Sequence, residues 1–177
     1  TLLYLDSIQN RMESMTKLTE ELFRYSLAAD LPELKLEPVD LRRCLEESLV
    51  SFYAAMVQRG ITPEISMPEG PVVRSLDPSA ASRIFGNIIS NALKYSGGDF
   101  SAALDSRGTV VFSNSAHGLD PVSAGKLFDR FYTVETGRGS TGLGLSIARL
   151  LTERLGGSIQ ASWAEGRLDI TVAFPDT

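Results

Sequence analysis

The stretch from Asp77 to Gly98 constrains the fold more than any other part of the chain. It opens on Asp77-Pro78, a capping side chain followed by proline at the first helical position, and it stops at Gly97-Gly98. In between, Ala81, Ile84, Phe85, Ile88, Ile89 and Ala92 recur at helical spacing. They predict a helix to about Tyr95 with one broad apolar face. Asn87, Asn91 and Lys94 are spaced four and three apart, so they form a polar stripe beside that face. Asparagine is a mediocre helix former. Two of them with a lysine mark either a solvated face or a polar site at the edge of a core. An amide oxygen is a suitable ligand for Mg2+ when phosphates supply the negative charge. A lysine offers a phosphate a point charge.

The remaining elements surround this helix. Residues 1–29 predict one long helix in which Leu5, Ile8, Met12, Met15, Thr19 and Leu22 alternate at spacings of three and four. That is a heptad seam, which wants a partner helix in the same chain or another. Pro32 ends it. Leu34-Lys35-Leu36 alternates like a short strand, and Asp40 caps a helix to about Arg59, with Gly60 as its stop. Ile61–Met67 and Val72–Leu76 predict short strands around a Pro/Gly turn. Phe100–Leu104 and Thr109–Phe112 predict a hairpin, and a helix over Leu145–Leu155 ends at Gly156-Gly157. Ile159, Ala161 and Trp163, then Leu168, Ile170, Val172 and Phe174, alternate as a final hairpin. Strands and helices mix without strict βαβ alternation. The expected fold class is α+β, an α/β sandwich with helices on one face of a mixed, mostly antiparallel sheet.

Composition removes several function classes. Net charge is −5, and no basic stripe is present, so nucleic acid is not an expected partner. Arg42-Arg43 sits on a helix, as a solvated face would. The one cysteine, Cys44, lies among Leu41, Leu45 and Leu49 at helical spacing and predicts a buried, inert thiol. No apolar run approaches the ~20 residues needed to span a bilayer. The chain opens on Thr1 directly into a helical pattern, as a piece of a longer protein would, and a membrane segment is expected upstream.

A second chemical feature is Ser140-Thr141-Gly142-Leu143-Gly144-Leu145, at the start of a helix. Glycines allow close backbone approach, and helix-start N–H groups with the dipole behind them bind anions. The stretch lacks the third glycine and preceding strand of a dinucleotide fingerprint, and it lacks the lysine of a Walker A loop.

Taken in order, these segments resemble a known family. Asn87–Tyr95 (NIISNALKY), Phe128–Tyr132 (FDRFY) and Thr141–Ser146 (TGLGLS) resemble the N, F and G2 boxes of sensor histidine kinases, which belong to the Bergerat-fold ATPases. The resemblance implies a catalytic ATP-binding domain over 31–177. Residues 1–30 would be the second helix of a dimerisation and phosphoacceptor hairpin. It implies ATP and Mg2+ as cofactors, with Asn91 as the metal ligand and Asn87 near the γ-phosphate. Lys94 and Tyr95 would line the phosphate and ribose side. Thr141, Gly142, Leu143 and Gly144 would wrap the phosphates, and Arg138 would contact them from the lid. Phe128 and Phe131 would anchor that lid.

One box departs from the family pattern. Where the family's G1 box has an aspartate that reads the adenine amino group, an ungapped count from the F box places Asn114. Ala116 and Gly118 stand at its two glycine positions. An asparagine oxygen still accepts a hydrogen bond but lacks the carboxylate's charge.

The resemblance further implies phosphoryl transfer to a histidine on a helix of the same protein or its dimer mate. A response regulator would follow, with a homodimer formed through the N-terminal helix and plasma-membrane anchoring of the full-length protein. His117, the one histidine, predicts an exposed loop residue and not the acceptor. Two alternatives are a nucleotide-blind dimerising or regulatory module and another Bergerat ATPase, such as an anti-sigma serine kinase.

Overall fold

The computed structural model describes residues 11, 12, 14, 15, 18, 19, 22, 33–129, 132 and 142–176. Among the described residues from 33 onward, seven strands and four helices follow in order: β1 (Glu37–Asp40), α1 (Leu41–Gln58), β2 (Glu64–Ser66), β3 (Val73–Leu76), α2 (Pro78–Tyr95), β4 (Ser101–Leu104), β5 (Thr109–Ser115), α3 (Pro121–Gly125), α4 (Gly144–Arg154), β6 (Ser158–Ala164) and β7 (Arg167–Ala173). The main sheet runs β2-β4-β5-β7-β6, and β1 pairs with β3 in a separate antiparallel pair. Only β2 and β4 are parallel; the other pairs of the main sheet are antiparallel. This is the expected mixed, mostly antiparallel α+β sandwich.

α2 is the centre of the helical layer, packed between α1 and α4 and against β5. All six residues of its expected apolar face are buried, joined by Leu93. Phe85 meets Phe112 of β5 and Phe174 beyond β7, with ring centroids 5.8 and 6.4 Å apart. Such tilted and edge contacts suit the ring quadrupoles. β5 and β7 turn Val110, Phe112, Leu168, Ile170 and Val172 inward. Their other face carries small polar groups, among them Ser113, whose hydroxyl donates to Asp169.

The caps stand where local sequence puts them. Asp77 accepts from the Ala80 amide at 2.9 Å. Asp40 accepts from the amides of Arg42 at 3.1 Å and Val72 at 3.0 Å, so one carboxylate caps α1 and ties it to β3. Arg42 and Arg43 reach the solvent side, paired with Glu46 and Glu47 one turn on. Cys44 is buried, as expected. Burial raises its pKa, partly offset by its contact with the Ser82 hydroxyl.

Four expectations change. Residues 33–36 form no strand, and the first strand is Glu37–Asp40. The Lys35 amide instead donates to Asp77 at 3.1 Å, so this backbone bonds a helix cap and not a ladder. The strand expected over Ile61–Met67 shrinks to Glu64–Ser66. The Ile61 amide bonds back to Met56, and Pro63 has no N–H to offer. β2 and β3, on either side of the Pro/Gly turn, belong to different sheets. β5 runs on to Ser115, and the short helix α3, capped by Asp120 with Pro121 after it, was not foreseen.

Of the N-terminal seam, Leu5 and Ile8 lie outside the described residues. Met12, Met15, Thr19 and Leu22 are helical and exposed. Among the described residues no helix is long and apolar enough to cross a membrane.

Phe85 is fully enclosed by α2's neighbours, so Phe85→Ala should cost about 3–5 kcal/mol. Chemical denaturation should show this as a lower midpoint with an unchanged slope.

Candidate functional site

Burying the apolar face of α2 fixes where its polar stripe points. Asn87, Asn91, Lys94 and Tyr95 are all half-buried, at the margin of the core rather than fully in solvent. The Asn87 Nδ2 atom is buried without a hydrogen-bond partner. A buried amide N–H left unpaired costs about 1–3 kcal/mol, and native proteins rarely tolerate one without a reason. The Lys94 ammonium lies 5.6 Å from the centre of the Tyr95 ring, within cation–π range. At the foot of α2, the Arg59 guanidinium donates to the Leu93 carbonyl, tying the last turn of the stripe to the end of α1.

α4 starts beside this helix. α1, α2 and α3 each begin on an aspartate whose side chain accepts a backbone N–H. α4 begins after Leu143, which offers no such acceptor. Its first amides therefore lack a side-chain cap, the arrangement that suits an anion. Gly142 precedes it at φ +70°, a conformation that a β-carbon would strain. Leu143 and Leu145 are buried and anchor the turn, while Gly144 is exposed. A β-carbon on Gly144 or Gly118 would meet no atom of the described chain within 4 Å. Packing among the described residues therefore demands neither glycine.

The third wall is the end of β5. Asn114 is buried and points inward, and its Nδ2 donates to the Ser115 carbonyl at 2.9 Å. That bond uses a donor and leaves Oδ1 as the acceptor end of the amide. His117 and Gly118 are exposed in the loop that follows, as expected of His117. Phe128 is buried in the core. Phe131, Arg138 and Thr141 lie outside the described residues.

Sequence reasoning missed the group that joins two of these walls. Asp99 follows the turn that ends α2. Its Oδ1 accepts from the Ser115 amide at 2.8 Å, from the Ser115 hydroxyl and from the Ser96 hydroxyl. Its Oδ2 pairs with Arg167 of β7 at 3.0 Å. The Gly97 amide donates to the Ser115 hydroxyl at 3.0 Å, and a β-carbon on Gly97 would lie 2.7 Å from that oxygen. Partial burial works against ionisation of Asp99, but the two Ser115 donors, the Ser96 hydroxyl and the Arg167 charge outweigh it and hold the carboxyl at about 2. No local pattern announces this residue, because Ser115 and Arg167 are distant in sequence.

Among the described residues no three His, Cys, Asp or Glu side chains converge as a metal site. Amides on α2, an uncapped helix start and a buried acceptor on β5 are the polar groups that these elements offer a ligand.

Comparison with known proteins gives the family. Residues 76–177 match the family described as histidine kinase-, DNA gyrase B- and HSP90-like ATPases. The chain belongs to that family. Among curated relatives it is 32% identical to the signal transduction histidine-protein kinase BaeS of Escherichia coli K12, over 96% of this chain and 38% of that protein. It is 28% identical to the sensor protein kinase WalK of Staphylococcus epidermidis, over 93% of this chain and 28% of that protein. The chain thus spans well under half the length of these relatives. In fold it resembles the Acinetobacter baumannii histidine kinase AdeS, with a TM-score of 0.71 at 23% identity, covering 99% of this chain and 85% of that one. It also resembles full-length ShkA in complex with AMPPNP, with a TM-score of 0.70 at 21% identity, covering 98% of this chain and 39% of that one.

The depressed pKa of Asp99 makes a prediction. Its stabilising contribution is complete above the ordinary carboxylate value of 3.8 and disappears as pH falls toward about 2. The stability difference between wild type and Asp99→Asn should be largest near neutrality and should shrink between about pH 4 and pH 2. Urea unfolding across that range measures it.

Proposed function

We propose that this chain is the Mg-ATP-binding catalytic part of a sensor histidine kinase, with the catalytic domain spanning 31–177. The observation that carries the reading is the α2 stripe, with its unpaired, buried Asn87 amide, beside the uncapped start of α4. The family match over residues 76–177 and the sensor-kinase names of the relatives support it.

In this reading Asn91 is the protein's ligand to Mg2+, and Asn87 donates toward the γ-phosphate. Mg2+, when bound, supplies positive charge among the phosphate oxygens. Lys94 adds a point charge, and Tyr95 lines the ribose side. Gly142, Leu143 and Gly144 present backbone amides to the phosphates, with Thr141 and Arg138 completing the lid. Asn114 Oδ1 accepts from the adenine amino group, and Gly118 leaves room for the base. Phosphoryl transfer depends on positioning and charge stabilisation more than on covalent catalysis. This site therefore needs no nucleophile of its own.

The phosphate acceptor in this reading is a histidine on another helix, from the same protein or its dimer mate, and a response regulator receives the phosphoryl group next. His117 sits in the loop after β5, not on a helix. The exposed Met12, Met15 and Leu22 supply the apolar seam for a homodimer. The full-length protein is anchored in the plasma membrane.

Calorimetric titration with Mg-ATP should show saturable binding, weakened at least about tenfold in Asn91→Ala. Absence of heat at millimolar nucleotide would replace this reading with that of a nucleotide-blind module. Incubated alone with labelled ATP, the chain should gain no phosphohistidine. Adding a relative's histidine-bearing hairpin should restore transfer, and labelling of a serine protein instead would point to a serine kinase.

A further inference from the structure

Ala116 stands where the family pattern has a glycine, yet its backbone is held on both sides by the β6–β7 hairpin. The Ala116 amide donates to the Gly166 carbonyl at 2.7 Å. The Ala116 carbonyl accepts from the Trp163 indole Nε1 at 2.9 Å and from the Leu119 amide of its own loop at 3.1 Å. The His117 ring lies so close over the hairpin turn that a β-carbon on Gly166 would come within 2.7 Å of its Nδ1. One residue further along the hairpin, Arg167 pairs with Ser115 in the ladder and reaches Asp99, which bonds Ser115 in turn. Asn114 donates to Ser115 within the same network. The hairpin tip thus meets the segment Asn114–His117 through backbone, indole, imidazole and ion pair together.

We propose that this hairpin tip is a brace for the base-binding wall, and that Trp163 is a positioning residue for nucleotide affinity. The proposal rests on the nucleotide reading above. The physical case is pre-organisation. A loop that is free in the absence of ligand loses conformational freedom on binding, and a loop already fixed does not. With Asn114 providing a neutral acceptor in place of a carboxylate, the hydrogen bond to the base is weaker and depends more on the acceptor being held in place. The Trp163 indole fixes the carbonyl two residues after Asn114, and the Asp99–Arg167 pair fixes the residue between them. Trp163 is half-buried and is the chain's one tryptophan. Its emission therefore reports on the surroundings of this one side chain, which include the Ala116 carbonyl.

The test combines two measurements on the chain as it stands. Mg-ADP titration of the wild type should leave the Trp163 emission maximum unshifted up to calorimetric saturation, because the indole is already bonded to Ala116 in the free chain. Trp163→Phe keeps an aromatic ring but removes the indole N–H. It should weaken Mg-ADP binding about fivefold, the factor that one ordinary hydrogen bond provides. Its melting temperature should fall by no more than about 4 °C, the shift that losing one hydrogen bond of about 1 kcal/mol produces in a chain of this size. A shift of the Trp163 emission maximum that follows the calorimetric curve would overturn the proposal, because the brace would then form only on binding. So would Mg-ADP affinity within twofold of wild type in Trp163→Phe, or a loss of affinity accompanied by a fall in melting temperature well beyond that of one hydrogen bond. If Trp163→Phe does not fold, the wild-type emission decides by itself. A wild type that binds no Mg-ADP calorimetrically removes the nucleotide reading, and with it the role assigned to the brace.

Discussion

The apolar face of α2 has to be buried, and most of the architecture follows from that one requirement. Ile84, Phe85, Ile88 and Ile89 have no exposure, and Phe85 is seated against aromatic rings of the sheet. At about 25 cal/mol per Å2 of apolar surface, a face of this width outweighs any local preference in the loops around it. Once the face is turned inward, helical geometry leaves no choice about Asn87, Asn91 and Lys94. They must lie along the boundary between core and solvent. Polar side chains at that boundary are partly shielded from water, and the Asn87 amide nitrogen is fully so.

The walls of the site are stabilised in different ways. α2 and α4 are held by side-chain burial, which is non-directional and tolerant of exchange among apolar residues. The end of β5 is held by directional bonds instead: Asp99 to Ser115, Arg167 to Asp99 and Trp163 to Ala116. Directional bonds set position more sharply, and each depends on its partner staying in place. Conservative exchange should therefore be easier at Leu143 or Ile88 than at Asp99 or Trp163.

Much of this was legible in the sequence for a simple reason. Asp77-Pro78, the six apolar positions of α2 and the Asp40 cap all act within one or two helical turns, and their spacing carries the signal. The two hairpins were visible because strand alternation and glycine turns are local too. The misplaced elements shared a different cause. Leu34–Leu36 alternates as a strand does, yet the Lys35 amide found a carboxylate far along the chain. Ile61–Met67 was cut short because Met56 captured the Ile61 amide. In each case a distant or competing partner took the backbone group that the pattern had assigned to a ladder.

The same division separates what the sequence by itself determined from what only the tertiary structure decided. The sequence determined which residues could carry chemistry: the amide stripe on α2, the glycine turn before α4, and Asn114 in place of an acid. It determined these because side-chain type and helical period are properties of the chain alone. The tertiary structure decided that the Asn87 amide is buried and unpaired, and that Asp99 is the link between α2 and β5. It also decided that Trp163 and Arg167, from the last hairpin, brace the segment that follows Asn114. Those facts depend on groups far apart in the sequence meeting across a sheet, and strand order brings β7 beside β5 where chain order does not.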